Sequence, residues 1–124
     1  MNPDTNNMIN SYNKGFKAED IAAEYLSDKM YDVLARRMKT KYGEIDLICK
    51  YKNTIVAVEV KYRNDGSTIY ECISDRQRRR ISMAFLSLIN NYTGEEYRID
   101  VVYIYNGVIE HVENAFYIEN YIAY

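Results

Sequence analysis

Two runs rich in isoleucine and valine lie close together near the middle of the chain. They cover residues 45–50 and 54–62, and Tyr51, Lys52 and Asn53 separate them. This composition favours β-strands, and so short a break is typical of a hairpin. The sequence therefore predicts two adjacent antiparallel strands.

Two amphipathic helices are predicted outside this hairpin, one before it and one after it. From Ser11, apolar residues recur at i, i+3, i+4, i+7 and i+8, which predicts a helix as far as about Asp28. The second helix begins near Asp75, a good N-cap, and its apolar residues keep helical spacing as far as Tyr92.

Three further strands complete the predicted sheet. A short strand at residues 33–34 precedes a basic stretch, and residues 99–105 form a later strand. Asn106-Gly107 is a strong two-residue hairpin signal, so the chain returns over residues 108–112. Together these elements predict an α/β fold in which α-helices pack on a mixed β-sheet.

Length and composition predict a single domain. The chain has 124 residues, of which 48% are apolar, and such a chain can build a core without disulfide or metal staples. We assign residues 11–124 to this domain, expect residues 1–10 to be disordered, and expect one or two helical turns after residue 116. No signal peptide and no 18-residue apolar stretch is visible, so we expect a cytoplasmic protein with no membrane partner.

Histidine, cysteine and glycine usage excludes several kinds of chemistry. Since His111 is the one imidazole and Cys49 and Cys72 lie 23 residues apart, a Cys/His zinc cluster is not expected. A catalytic triad would have to use His111, which we interpret as a half-exposed strand histidine. The five glycines are too scattered for a phosphate-binding loop, which excludes ATP and NAD chemistry.

The charges are unevenly distributed, although the net charge is −2. Residues 36–80 hold 12 basic and 6 acidic side chains, whereas the chain beyond Thr93 holds Arg98 against six acids. Such an asymmetry allows the protein to offer a basic face to a polyanion. The alternative is that these charges merely solvate the surface.

Several acidic side chains lie where the pattern of their neighbours is apolar. Glu19 is at the edge of the core-facing stripe of the first helix. Glu59 and Lys61 share one face of the second hairpin strand. Asp46 lies in the preceding strand, where strict alternation puts its two neighbours in the chain together on the opposite face.

Acids embedded in such strands need a positive partner, because burying a lone carboxylate is costly or raises its pKa. Carboxylates that converge on one spot repel each other unless a divalent ion lies between them, and oxygen ligands suit Mg²⁺ or Mn²⁺. The alternative is that Glu59 and Lys61 form a simple ion pair at the rim of the sheet. Asp100 likewise pairs with Arg98 or Arg63, or else binds metal.

Motifs spread along the chain match those of a known protein family. In chain order they are Ala18-Glu19-Asp20 with Ala22 and Tyr25-Leu26, Gly43-Glu44-Ile45-Asp46-Leu47-Ile48, Val58-Glu59-Val60-Lys61 with Arg63, Arg79-Arg80-Ile81, Arg98-Ile99-Asp100-Val101-Val102, and Glu110-His111-Val112-Glu113-Asn114-Ala115-Phe116. With them the chain resembles the YraN-like family of bacterial endonuclease-like proteins, a branch of the PD-(D/E)XK nuclease superfamily related to archaeal Holliday-junction resolvases and restriction endonucleases. The resemblance covers the chain from about Lys14 to Phe116.

The resemblance implies a restriction-endonuclease-like core whose active site lies where the hairpin strands diverge. It implies that Asp46 and Glu59 are acidic ligands of Mg²⁺ or Mn²⁺ and that Lys61 is the lysine of the superfamily. Glu19 would complete the metal site, either directly or through water. These four residues are therefore the candidate catalytic residues of a metal-dependent endonuclease.

The resemblance also implies a nucleic-acid partner, with DNA favoured over RNA, and it leaves open whether two protomers act together in a homodimer, as they do in the related resolvases. The candidate phosphate-binding residues are basic: Arg37, Lys39, Arg63, Arg76, Arg78, Arg79 and Arg80. Where family members commonly have Asn-X-Arg, this chain has Arg37-Met38-Lys39, which keeps the charge but loses bidentate geometry at Lys39.

Two functions follow from this resemblance. The first is hydrolysis of phosphodiester bonds, in branched or single-stranded DNA. The alternative is a nucleic-acid-binding module that has the same fold but turns over little or nothing. The arginines of residues 76–80 also have an alternative interpretation. Instead of binding phosphate, they form a charged helix face that is simply solvated.

Overall fold

The computed structural model describes residues 14–118 of the chain, with side chains from Lys17 onward. Its two helices are α1 (Lys14–Asp28) and α2 (Asp75–Leu88), and a 3₁₀ turn, Ile89–Asn91, follows α2. The predicted disorder of residues 1–10, and the part of the predicted C-terminal turns beyond residue 118, lie outside the described residues.

Five strands form one mixed sheet. They are β1 (Asp32–Thr40), β2 (Gly43–Tyr51), β3 (Thr54–Tyr62), β4 (Glu96–Tyr105) and β5 (Val108–Phe116). Their order in the sheet follows the chain. β3 and β4 run parallel, and the other neighbouring pairs run antiparallel. The predicted fold class is therefore confirmed: a mixed sheet flanked by helices, consistent with a restriction-endonuclease-like core.

The two helices cover opposite faces of the sheet. Val56 and Val58 of β3 pack in the cluster that contains Ala22 and Leu26 of α1. The alternate β3 residues, among them Ile55, pack in the cluster that contains α2. Because parallel strands cannot be joined by a tight turn, the link from β3 to β4 has to cross one face, and α2 lies within that link.

Several observed strand and helix ends differ from the predicted ones, and both β4 and β5 are longer than predicted. The first strand is not short, because Asp32–Thr40 pairs with β2 along its length and so includes the basic stretch. The N-cap of α2 is Ser74, not Asp75, since the Ser74 and Gln77 side chains form a capping box with each other's backbone N–H groups. Tyr92 lies beyond the helix, after the 3₁₀ turn.

The strict alternation predicted around Asp46 is wrong. Ile45 packs in the cluster on the α2 side, whereas Leu47 packs in the cluster on the α1 side. The pairing of β2 with β3 ends at Leu47 and Val58. Past this point the two strands diverge, which opens a space beside Asp46.

The strand pattern predicts a half-exposed His111 side chain, and this prediction is wrong. Its side chain is 3% exposed. The rings of Tyr25 and Tyr31 contact it edge-on, and its Nε2 lies 2.8 Å from Asp100 Oδ2. A period-2 pattern cannot show this burial, because the residues that cover His111 come from α1 and the segment after it.

Asp100 is fully buried and is held by hydrogen bonds. The Arg98 guanidinium donates to it through Nε at 2.9 Å and Nη2 at 3.2 Å, and the Asn114 N–H donates at 2.9 Å. Although burial opposes ionisation, hydrogen bonds to His111, Arg98 and Asn114 hold the pKa of Asp100 below its usual value. Of the two partners foreseen for Asp100, the structure shows Arg98.

No helix within residues 14–118 is long and apolar enough to cross a membrane.

We expect Asp100→Asn to lower the free energy of unfolding by about 3–5 kcal/mol, because it removes the buried carboxylate that pairs with Arg98 and leaves Arg98, among the described acids, only its longer contact of 3.8 Å with the exposed Glu113. Urea titration at neutral pH measures this loss. The matched control is Asp20→Asn, which breaks an exposed ion pair with Arg36 and should cost less than about 1 kcal/mol. Equal losses in the two variants would contradict this account of Asp100.

The contribution of Asp100 to stability should also disappear in acid. A carboxyl whose pKa is lower in the folded chain stabilises the fold above its ordinary value of 3.8, and this stabilisation is lost as the pH falls through the folded pKa. The difference in unfolding free energy between wild type and Asp100→Asn should therefore become smaller as the pH falls below 3.8. A gap of the same size at neutral pH and at about pH 3 would contradict the expected proton linkage.

Candidate functional site

A solvent-open pocket of about 420 Å³ lies where β2 and β3 diverge. All four candidate catalytic residues line it, although they come from three elements. The lining residues are Ala18, Glu19, Asp46, Glu59, Val60, Lys61, Tyr62 and Arg63. We call this space the carboxylate pocket.

Glu19 reaches the pocket from the edge of the buried face of α1. It is 6% exposed, and Arg37 Nη1 donates to its Oε2 at 3.4 Å. Burial, together with the nearby charge of Asp46, raises the pKa of Glu19. Its Oε1 is buried and has no hydrogen-bond partner among the described residues.

Asp46 lies at the point where the two hairpin strands separate. Its Oδ2 accepts a hydrogen bond of 2.8 Å from the Val60 N–H, a backbone group that lies past the end of the β2–β3 pairing. Burial raises the pKa of Asp46, even though that hydrogen bond and the charges of Lys61 and Arg80 oppose the change. The side chain thus holds the two strands in their divergent arrangement.

Glu59 is the most strongly perturbed acid of the pocket. It is 5% exposed, and its Oε1 lies 3.2 Å from Lys61 Nζ and 3.7 Å from Arg80 Nη2. Burial, followed by repulsion from Asp46, raises the pKa of Glu59 to about 7. Its Oε2 is buried and unpaired within the described part of the chain.

The ion pair between Glu59 and Lys61, foreseen as an alternative, is present. It is not the whole arrangement, because Asp46 and Glu19 line the same pocket. The Lys61 side chain is 11% exposed, so its charge acts from the pocket wall rather than from bulk solvent. The structure therefore brings together one lysine and three carboxyl groups whose pKa values are all raised.

The donor chemistry of the pocket fits a hard divalent cation. Carboxylate oxygens are the ligands that Mg²⁺ and Mn²⁺ prefer, and two of the oxygens here, Glu19 Oε1 and Glu59 Oε2, are buried without a partner. Within residues 14–118, no three Asp, Glu, His or Cys side chains are already grouped closely enough to hold a metal. Direct binding of one ion by three of these side chains therefore requires side-chain rotation.

A second open groove lies beside α2, and three of its six lining residues are arginines. Its volume is about 560 Å³, and its lining residues are Tyr42, Arg76, Gln77, Arg79, Arg80 and Met83. We call it the basic groove. Arg80 belongs to it and also contacts Glu59, so the groove leads toward the carboxylate pocket.

The remaining candidate phosphate-binding residues are dispersed. Arg63 lines the carboxylate pocket, and Lys39 is exposed on β1. Arg37 is engaged with acids, since its Nε lies 3.6 Å from Glu44 Oε1 and its Nη1 bonds Glu19. Arg78 is directed elsewhere: it lies over the Phe116 ring and lines a separate small cavity.

The sequence predicts Arg80 only as one of several phosphate-binding arginines, and its contact with Glu59 was not predicted. A signal was available, because Arg80 precedes the buried residue Ala84 by four positions. This spacing puts Arg80 at the edge of the buried face of α2, as Glu19 is at the edge of that of α1. The same criterion that selected Glu19 applies to Arg80.

Comparison with known proteins places these residues in a family context. The model of "Uncharacterised protein family UPF0102" matches residues 18–104, a range that contains all four candidate catalytic residues. A UPF0102 protein of Sulfurihydrogenibium sp. is 42% identical over 111 residues, which cover 86% of this chain and 96% of that protein. UPF0102 proteins of Persephonella marina and Mesorhizobium japonicum are each 39% identical, over 86% and 89% of this chain and 95% and 91% of their own lengths.

We expect Glu59→Gln to stabilise the metal-free protein at about pH 8, by about 1–3 kcal/mol. The folded Glu59 keeps its proton up to about pH 7 while the unfolded residue loses it near 4.5, so the Glu59 contribution to stability falls as pH rises between these values. Urea titrations in EDTA measure the effect.

The control for this variant is the same comparison at about pH 4, where Glu59 is largely protonated in both states and the gain should nearly vanish. If Glu59→Gln instead destabilises the protein at about pH 8, the ionised Glu59 is favourably paired, contrary to its raised pKa.

Proposed function

The chain belongs to the UPF0102 family, and we propose that it is a metal-dependent nuclease that hydrolyses phosphodiester bonds of nucleic acid at the carboxylate pocket. One observation carries the proposal: Glu19, Asp46, Glu59 and Lys61 line a single solvent-open pocket although the sequence separates them. Buried carboxylates with raised pKa values need a cation, and an open pocket gives a substrate access to it.

Asp46 and Glu59 are the proposed ligands of Mg²⁺ or Mn²⁺, and Glu19 completes the set, directly or through water. The ion, when bound, supplies Lewis acidity toward a phosphate oxygen and lowers the pKa of water. Lys61 contributes a fixed positive charge at the pocket wall. We propose that this charge orients the attacking water and stabilises the anionic transition state.

The basic groove and Arg63 are proposed to hold the phosphate backbone next to the pocket. Arginine recognises phosphate through paired hydrogen bonds, and such contacts position a strand without reading its sequence. Binding should therefore weaken steeply as salt is added. We propose DNA as the substrate, branched or single-stranded, and a homodimer as the form that acts on two strands, in a cytoplasmic setting.

A second candidate function is nucleic-acid binding without turnover. The observation in its favour is that no ready-made group of metal ligands occurs within residues 14–118. Such a module would use the basic groove alone. Its carboxylate pocket would bind an ion weakly or not at all.

We expect Lys61→Ala to lower cleavage by about 100-fold or more, because it removes the charge proposed to stabilise the transition state. Plasmid, single-stranded and four-way-junction DNA are incubated with the protein in Mg²⁺ or Mn²⁺, and product is quantified over time. Lys52→Ala is the matched control, since Lys52 lies in the β2–β3 turn, at the other end of β3, and should leave cleavage unchanged.

The same assay separates the two candidate functions. Cleavage by wild type that is lost in Lys61→Ala and abolished by EDTA supports the nuclease. Salt-sensitive DNA binding by wild type, with no cleavage of any substrate in either metal, supports the binding module instead.

A further inference from the structure

Arg80 is the residue at which the carboxylate pocket and the basic groove meet. Its Nη2 lies 3.7 Å from Glu59 Oε1, and its Nη1 donates to the Glu44 carbonyl at 3.0 Å. The same side chain lines the basic groove together with Arg76 and Tyr42. One guanidinium is therefore within reach of both a carboxylate of the pocket and an anion in the groove.

The backbone next to Arg80 leaves room for its side chain. Gly43 has a φ of +129°, a value that favours glycine, and a Cβ there would lie 2.7 Å from Arg80 Nη1 and 3.0 Å from Arg80 Cδ. A side chain at position 43 would displace the guanidinium. The start of β2 thus accommodates Arg80 in contact with Glu59.

Two cations share one oxygen of Glu59, and they differ in exposure. Lys61 Nζ is 3.2 Å from Glu59 Oε1, and the Lys61 side chain is 11% exposed, whereas that of Arg80 is 33% exposed. Both cations also act on Asp46. Their charges lower its pKa, against the larger effect of burial. Because Arg80 is nearer to solvent, moving its charge away from the pocket costs less than moving that of Lys61.

We infer that Arg80 is the exchangeable counter-cation of the carboxylate pocket. It pairs with Glu59 while no divalent ion is bound, loses that contact when an ion binds, and then serves the phosphates in the basic groove. This inference rests on the proposed function, and it adds that ion binding and nucleic-acid binding favour each other. Such coupling is reciprocal by thermodynamic necessity.

The physical reason is the opposite charge of the two ligands, the divalent ion in the carboxylate pocket and the phosphate in the basic groove. A divalent ion beside Glu59 repels the guanidinium, and a phosphate in the groove attracts it. Each ligand is thus favoured by the arrangement of Arg80 that the other one stabilises. A ligand shifts such an equilibrium only by its differential affinity for the two arrangements, and charge supplies that difference here.

The first test measures Mn²⁺ binding without nucleic acid, from the EPR signal of the free ion. We expect Arg80→Met to bind Mn²⁺ about 10-fold more tightly than wild type, because a competing charge is gone. Arg76→Met, the matched control, removes a charge from the same groove and should stay within about twofold of wild type. If Arg80 merely supported the fold, its loss would weaken Mn²⁺ binding instead.

The second test measures binding of a fluorescent, cleavage-resistant phosphorothioate oligonucleotide by anisotropy, with and without Ca²⁺. Ordinary screening by a divalent salt weakens such binding. We expect Ca²⁺ to tighten binding about 5-fold for wild type and for Arg76→Met, and to weaken it for Arg80→Met.

The outcomes separate this inference from the proposed function. Equal or weaker Mn²⁺ binding by Arg80→Met overturns the inference, while cleavage by wild type would still support the nuclease. Tighter Mn²⁺ binding by Arg80→Met, with no cleavage by wild type, supports the inference and overturns the nuclease. Arg80→Gln keeps an N–H donor without the charge. If Arg80→Met fails to fold, the Mn²⁺ affinity of Arg80→Gln, higher or lower than that of wild type, decides the outcome.

Discussion

The separation of β2 from β3 at Asp46 is the constraint on which the rest of the site depends. Where these strands pair next to Asp46, over residues 47–49 and 56–58, both faces of the sheet are covered and the side chains are apolar. Past Leu47 and Val58, the backbone needs other partners, and the Asp46 carboxylate accepts the Val60 N–H. The same divergence opens the pocket and places Glu59 and Lys61 on its wall.

Two buried acids show how differently this fold treats a carboxylate. Asp100 has hydrogen bonds to both of its oxygens, and its pKa is lowered. Glu59 is almost as deeply buried, yet it has one unpaired oxygen and a raised pKa. A satisfied carboxylate stabilises the fold, whereas an unsatisfied one facing an open pocket is available to a cation.

Local patterns were sufficient for much of the fold. The two hairpin strands and the turn at Asn106-Gly107 lie where composition and turn chemistry predicted them. Glu19 could be selected as unusual because helical spacing alone puts it at the edge of a buried face. The burial of His111 could not be predicted, because it depends on rings that lie far away in the chain. The length of β1 was missed for a different reason: its partner β2 is adjacent, but β1 carries a basic run instead of an isoleucine- and valine-rich one.

The order of residues was enough to say which side chains conflict with their surroundings, since periodicity assigns each one to a face and burial makes a charge there costly. It was not enough to say which cation meets which acid. The tertiary structure selects Arg80 rather than another arginine of α2 to contact Glu59, and it interrupts the alternation of β2 at Asp46. The physical reason is that the period of a helix or strand specifies only the face to which a side chain points. A contact also needs distant elements to pack together, as α2 packs here against Gly43, which has no side chain.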